Sequence, residues 1–570
     1  MSLKRTTSIM LWAVTAVLIL AGGIPGPVRA TMRLTSAVTI ASNTIPRAGV
    51  LPEAGEARVI LRLKGDRIAS GLRLDAMEAL RQPLGLGPHA VFYSTRLLEP
   101  GDTGSVFLVR SRAFTMDALL ATLRTDPSVL FAEPDRQFQV LDRVPRLAPS
   151  AGLSSQSQPW YAGMPDFIAL GGPNLQSAFA SHPTSGGPAI IVNLDSGIDT
   201  TDPRMAAHQP AQGWGVNWTN DASTPDTVVQ DPGLNGFSHG LAVAGQEIKA
   251  IDDDPTVRFW NERVLAPNMT SGGFSFTGLT SWVIEALSDV KSRMKNDASF
   301  RVAAINMSLV GFQSTALRDL IATMQAPVFI CSGNGDNDSF VGVSLQTDPV
   351  ANAVACYAAM LPNCAAVGAL DDTGQTATSY SNFGPVPIWA PGSVNGPGLN
   401  GTIIAIEGTS FAAPTAAGIA AEVALRKGMT DPRAIIQQIQ LTAPVTSFNL
   451  GGGTQQAILI KADKALTGSV QVPPADGLSF VGATKYHTVS QQLTLKVKLV
   501  QTALQPIAHD LIVVPGLEAS GPKAWFGALD PGAGGTVPGG LSGPNPGQHV
   551  TISSKGGGLA VSGKIKHPAN

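Results

Sequence analysis

Four short runs, residues 189–194, 302–309, 327–331 and 365–370, are apolar along nearly their whole length instead of alternating apolar with polar. A strand with one face in water alternates; a strand covered on both faces does not, and buried parallel strands read this way. Helical segments such as residues 279–294 lie between some of these runs, and helix-containing crossovers are what join parallel strands. Three of the runs end in polar, loop-like residues: Asp195-Ser196-Gly197, Ser308 onward, and Ser332-Gly333-Asn334. Open α/β sheets build their sites at the carboxyl ends of strands. The expectation is an α/β domain on a mostly parallel sheet, with its chemistry at those three places.

The 570 residues allow about two to four domains. Charged residues make up 14% and the formal net charge is −2, so nothing electrostatic argues for nucleic acid or an anionic membrane as partner. With 44% hydrophobic residues, disorder throughout is excluded. Lys4 and Arg5, the apolar stretch 9–21 and Val28-Arg29-Ala30 read as a signal peptide over residues 1–30, broken by Gly22, Gly23, Pro25 and Pro27 before spanning length. No later stretch is long and apolar enough to cross a bilayer. The expected destination is secretion, whether extracellular, periplasmic or surface-associated. Of three cysteines, Cys356 and Cys364 are close enough in sequence to bridge a loop, which spacing alone does not settle, and Cys331 reads as a buried small hydrophobe.

Residues 31 to about 56 lack periodicity. Alternation over 57–63, a helical pattern around 74–80, a strand at 106–109, a helix at 116–123 and a strand at 129–131 suggest a small α+β unit of split βαβ type, about 57–141. Residues 142–158, rich in Pro, Ser, Gln and Arg, read as an exposed connector open to nicking. From 468 to 570 the chain turns Gly/Pro-rich, with alternation at 493–499, and reads as a β-type region without a chemical motif.

Acyl transfer needs a nucleophile, a base, a group to hold the base, and oxyanion donors. Gly408-Thr409-Ser410-Phe411-Ala412-Ala413-Pro414 places a hydroxyl at the mouth of a small-residue helix that runs to Lys427. Ser238-His239-Gly240-Leu241-Ala242-Val243-Ala244-Gly245 puts an imidazole at the start of another. Asp195 stands at one strand end and Asn334 at a second. Taken singly, each has an ordinary reading as a cap or a turn residue.

Together, in the order Asp, His, Asn, Ser, they resemble the subtilisin-like serine peptidases. Asn306-Met307-Ser308-Leu309, Ala366-Val367-Gly368-Ala369, residues 379–384 and Ala390-Pro391-Gly392 extend the resemblance over roughly 158–467. It implies an α/β, mostly parallel-sheet subtilisin-like catalytic domain (158–467), preceded by a propeptide (31–157) that holds a small α+β prodomain and followed by the β-rich C-terminal region. Ser410 would be the nucleophile, His239 the general base and then acid, Asp195 its orienting carboxylate and Asn334 an oxyanion donor. Ser308, Leu309, Val310 and Gly311 would bind substrate, a protein or peptide, without a catalytic cofactor. The prodomain resembles the family's inhibitor-type prosegment, an intramolecular chaperone and inhibitor removed by self-cleavage.

The chain departs from the family pattern in places. Leu241 stands where Thr is usual and Thr415 where His is common, which implies altered packing. Val310 replaces a usual Gly and is expected to narrow a subsite. Arg204 replaces a calcium-binding Asp of some members, so that site is expected to be missing; structural calcium at Asp252-Asp253-Asp254 is weighed against a solvated loop. The competing function is a catalytically impaired subtilase-like scaffold that binds peptides or a surface. An esterase reading lacks the Gly-x-Ser-x-Gly elbow.

Overall fold

The structure, a computed structural model, describes residues 56–63, 92–99, 106–140 apart from 113 and 126–128, 159–468 apart from 185, 220–228, 232–236, 271–272 and 337–339, and six strands between 478 and 564. The expected signal peptide, the helical pattern near 74–80 and the connector at 142–158 lie outside the described residues.

The first unit comprises β1 (Ala57–Leu63), β2 (Phe92–Glu99), β3 (Val106–Ser111), α1 (Met116–Thr125), β4 (Val129–Pro134) and β5 (Gln137–Val140). Its sheet runs β2-β3-β1-β4, every pairing antiparallel. β3 and β4 therefore point the same way with β1 between them, and α1 connects them. That is a split βαβ. Leu119, Leu120 and Leu123 form the buried face of α1 and pack with Val59, Leu61 and Val109. The alternation seen at 57–63 is that of β1, whereas β2 and β5 have no counterpart in the sequence reading.

The large sheet is built from β6 (Ala189–Asp195), β7 (Gly215–Asn217), β8 (Val257–Arg263), β11 (Val302–Met307), β13 (Val328–Cys331), β14 (Cys364–Leu370), β15 (Ile388–Pro391), β18 (Val445–Leu450) and β19 (Gly453–Leu459). Its order is β18-β19-β15-β14-β13-β11-β6-β8-β7, parallel throughout except for the antiparallel edge pair β18–β19. Every residue of β6, β13, β14 and β15 is buried, which is why those runs show no alternation. The fold is α/β on a mostly parallel sheet, as the apolar runs indicate. C-terminal to it, Leu478–His487, Gln492–Gln501, His549–Ser553 and Leu559–Lys564 share one sheet and His509–Val514 pairs with Lys523–Ala528.

Two helices fill the centre, α2 (His239–Ala250) and a long small-residue helix, Thr409–Lys427, labelled α5 below. Between them in the chain come α3 (Thr280–Asn296) and α4 (Thr315–Ala322). All of α2 is buried, and so is α5 from Thr409 through Val423. Small side chains let the two backbones approach: a Cβ on Gly418 of α5 would lie 2.7 Å from the Ala250 Cβ and 3.1 Å from the Glu247 carbonyl oxygen of α2. Bulk added there pries the helices apart, and overpacking of this kind destabilises by about 1–3 kcal/mol. Gly418→Leu should therefore lower the thermal midpoint of an inactive Ser410→Ala protein in scanning calorimetry. Gly453→Leu, where a Cβ meets only the Leu450 carbonyl oxygen at 3.9 Å, should leave that midpoint nearly unchanged.

Candidate active site

Strand ends and helix starts meet on one side of the sheet. β6 delivers Asp195, β11 leads into Ser308, β13 leads into Asn334, and the first turns of α2 and α5 carry His239 and Ser410. Asp195 and His239 are wholly buried, and Asn334 and Ser410 nearly so. Asp195 Oδ1 lies 2.6 Å from His239 Nδ1 and also accepts the Ser196 N–H at 2.6 Å. The imidazole sits in an aromatic box: ring centroids lie 5.6 Å away at Phe411 and 6.1 Å away at both Phe237 and Phe276. Phe411 follows Ser410 directly, so three widely separated segments converge here.

The start of α5 is held in two ways. Asn334 Oδ1 accepts the Thr409 N–H and hydroxyl, each at 2.9 Å, and the Gly333 N–H donates to Thr409 Oγ1 at 3.0 Å. The carboxamide oxygen is thereby fixed, which also fixes the direction of its Nδ2. Gly333 takes φ +98°, and a Cβ there would strike the Asn382 side chain at 2.7 Å, so glycine is required. The second anchor comes from Pro414, which has no N–H for the carbonyl four residues earlier. That carbonyl belongs to Ser410, and it accepts the Ser308 hydroxyl at 2.7 Å instead. The proline thus ties Ser410 to the end of β11.

Beneath these residues runs a buried polar chain. Asn306 Nδ2 donates to Ser308 Oγ and to Asn193 Oδ1, each at 3.1 Å, and Asn193 Nδ2 donates to Glu247 at 2.9 Å. Burial pushes the Glu247 carboxyl well above the usual carboxylate range, and the charge of Asp195 pushes the same way against the Asn193 hydrogen bond. Asn193 and Glu247 escape the sequence reading. The one available signal is a polar residue within the apolar 189–194 run.

β5 of the first unit lies in a groove beside the site. It pairs antiparallel with β10 (Gly273–Leu279) on one side and β12 (Val310–Gly311) on the other, and β9 (Ala266–Thr270) completes that sheet. Val310 faces Gln139 and Gly311 faces Phe138. The Phe138 ring covers Gly311, where a Cβ would lie 2.2 Å from it. Val310 is itself mostly buried, and its branched side chain accommodates this extended strand. Leu309, next to it, is fully buried and its carbonyl receives the Cys331 thiol at 3.4 Å. Two carboxylates seat the unit on helix starts. Glu133 accepts from the Ser314 hydroxyl and from the Thr315 and Ala316 N–H groups of α4, and Asp135 accepts from Ser281 N and Oγ of α3.

The three cysteines are free and buried, so the Cys356–Cys364 bridge that the spacing permits is not formed. Cys356 turns its sulfur toward the Asn352 carbonyl at 3.6 Å instead, and burial raises its thiol to about 12. Arg204 donates to Asp202 and to the carbonyls of Gly398 (2.9 Å) and Thr402 (3.0 Å), joining loops with a guanidinium. The Asp252-Asp253-Asp254 carboxylates diverge: Asp252 accepts from Tyr161 and Gln176, Asp253 contacts His208, and Asp254 accepts from Thr256 and Arg426. Among the described residues no group of three or more His, Cys, Asp or Glu is arranged to hold a metal ion, and no helix is long and apolar enough to cross a membrane. Leu241 is wholly buried in the core, and Thr415 bonds its own helix at the Phe411 carbonyl.

Residues 187–469 match the family model of the subtilases. Subtilisin-like protease 5 of Arthroderma benhamiae is 29% identical over 339 residues, 59% of this chain and 74% of the relative. Subtilisin-like protease 1 of Trichophyton rubrum is 26% identical over 357 residues, and the match spans 60% of each. Among solved structures, fervidolysin from Fervidobacterium pennivorans, described as a keratinolytic enzyme related to subtilisin, superposes with a TM-score of 0.55 at 15% identity, over 91% of this chain and 79% of that one. At that identity the likeness is one of fold.

A carboxyl whose pKa is raised in the folded state stabilises below its unfolded pKa and loses that contribution as pH rises through the folded value. Glu247 is such a group. Glu247→Gln keeps an acceptor for Asn193 but cannot ionise, so in a Ser410→Ala background it should melt near the parent at about pH 5 and above it at about pH 9. Glu262 and Glu422, each pushed up to about 8 by burial, titrate in both proteins and cancel from the comparison.

Proposed function

Through residues 187–469 the chain belongs to the subtilase family of serine peptidases, and on that premise we propose that it is a secreted serine endopeptidase, made as a self-processing precursor, that cuts proteins through an acyl-enzyme. The observation that carries the proposal is the 2.6 Å contact between Asp195 and His239, set against the turn that bears Ser410.

In this reading the Ser410 hydroxyl attacks the scissile carbonyl while His239 Nε2 takes its proton. Asp195 accepts from Nδ1–H, which fixes the tautomer and stabilises the imidazolium. The tetrahedral oxyanion accepts from Asn334 Nδ2 and the Ser410 N–H at the positive end of α5. His239 then protonates the leaving amine, and water repeats the sequence to release the acid. The step needs no metal or organic cofactor. Ser308 to Gly311 form one wall of the substrate groove, and an extended peptide adds a strand between β12 and β10, the place β5 takes.

That occupancy supports the zymogen reading. The chain's own Gln137–Val140 lies where a substrate strand would lie, so the first unit blocks the groove until it is removed. Its antiparallel ladder sets Val310 against Gln139 and Gly311 against Phe138, and Ser308, two residues before Val310, holds Ser410 through its hydroxyl. The proposed processing bond lies after Val140 and before the catalytic domain that starts near residue 158, and the large apolar Phe138 over Gly311 marks a proposed preference upstream of the cut. The basic-then-apolar beginning of the chain supports export.

Two measurements check this reading. The mature secreted protein should begin between residues 141 and 158 by intact-mass and N-terminal analysis; a secreted protein that keeps residues 57–140 would count against self-processing. On a peptide substrate, Asn334→Ala should lower kcat by about 10²–10³ and Ser410→Ala by on the order of 10⁶, and a reversed ranking would contradict the roles assigned.

A further inference from the structure

A carboxylate outside the constellation grips both halves of the Asp195–His239 pair. Asp231 is almost wholly buried. One of its oxygens, Oδ2, accepts the Ser196 hydroxyl at 2.5 Å and the Ser238 hydroxyl at 2.8 Å. Those serines are the neighbours of Asp195 and His239, one just after the first and the other just before the second. A hydroxyl has a single proton, and once it points at Asp231 the oxygen's lone pairs are turned elsewhere. Here both turn to α2: Ser196 Oγ accepts the Gly240 N–H at 3.1 Å and Ser238 Oγ accepts the Leu241 N–H at 3.2 Å. These N–H groups belong to the first helical turn and have no partner inside the helix.

Asp231 is itself fixed by backbone. The Ile198 N–H donates to the Val229 carbonyl at 2.9 Å and the Asp231 N–H donates to the Ile198 carbonyl at 3.1 Å, so its loop is zipped to the turn that follows β6. Gly197 makes that approach close, since a Cβ there would lie 2.2 Å from the Val229 oxygen. The Ser196 N–H also donates to Asp195 Oδ1, the same oxygen that holds the imidazole.

We propose that Asp231 is a positioning residue for the peptidase reaction, setting the Ser196 and Ser238 hydroxyls so that the first turn of α2, with His239, is held in register with Asp195. The inference rests on the peptidase reading above. The oxygen that does the holding is single, so a carboxamide oxygen can replace it, whereas a methyl group cannot. Without the acceptor both hydroxyls rotate, the α2 N–H groups lose their fixed partners, and the imidazole shifts relative to Ser410. Displacements of this size at a reacting group cost about 10–100-fold in rate, and they act on turnover because no substrate contact is touched.

The test uses the matured secreted protein, with rates expressed per active site titrated by burst. Asp231→Ala should lower kcat about 10–100-fold with KM within about twofold, and Asp231→Asn should recover to within about threefold of wild type. In a Ser196→Ala/Ser238→Ala background the Asp231→Ala change should have no further effect, because its route is gone. Wild-type kcat in Asp231→Ala, or an undiminished loss in the serine-deleted background, overturns the proposal. If Asp231→Ala fails to mature, the serine-deleted protein alone decides: it must itself lose kcat about 10–100-fold at unchanged KM, and wild-type turnover there overturns the inference. Absence of turnover in wild type, by contrast, overturns the peptidase reading and this inference with it.

Discussion

Everything at the site depends on how closely the helix bearing Ser410 can approach its neighbours. Helix α5 is buried along almost its whole length, and it touches α2 at a point where even a methyl group on Gly418 would collide. A helix of ordinary side chains would stand off by the usual 8–10 Å spacing or more. Ala, Gly and Thr bring α5 near the ends of β6, β11 and β13, so residues more than two hundred positions apart in the chain meet. Pro414 completes the placement by freeing the Ser410 carbonyl for Ser308. The geometry of the site is thus a consequence of packing, and the polar contacts lock what packing has brought together.

The parallel sheet was legible because burial on both faces erases alternation, and the strand ends were legible because polar residues reappear there abruptly. Asp195, His239, Asn334 and Ser410 stood out only in combination; each alone is an ordinary cap or turn residue. What the sequence hid is what depends on tertiary pairing. β5 alternates over only four residues, too few to stand out, and it pairs where β10 and β12 offer edges to it. Asp231 lies in a loop with no periodicity, and its importance comes from two serines that reach it from different elements. Asn193 and Glu247 are hydrogen-bonded across β6 and α2, a pairing no local pattern encodes. The cysteine spacing permitted a bridge without deciding it, and each thiol is separately buried.

The contact between the first unit and the large sheet uses the same physics as the site itself. Helix starts leave N–H groups without internal partners and carry positive character. At α2 and α5 those groups meet Ser238, Ser196 and Asn334; at α3 and α4 they meet Asp135 and Glu133 from the first unit. In the proposed reading one set of helix starts serves the reaction, while the other seats the first unit. β5 follows Glu133 and Asp135 directly, so the strand that pairs with β10 and β12 begins where those two carboxylates are seated.

The central claim is that the Ser410 hydroxyl is a nucleophile activated by its surroundings, and covalent capture tests it most directly. A serine-directed phosphonate, added to the matured protein and followed by peptide mass spectrometry, should leave a single adduct on Ser410 and none in His239→Ala. An unmodified Ser410 in protein that is folded and free of its first unit, or an adduct on a different serine, would contradict the account.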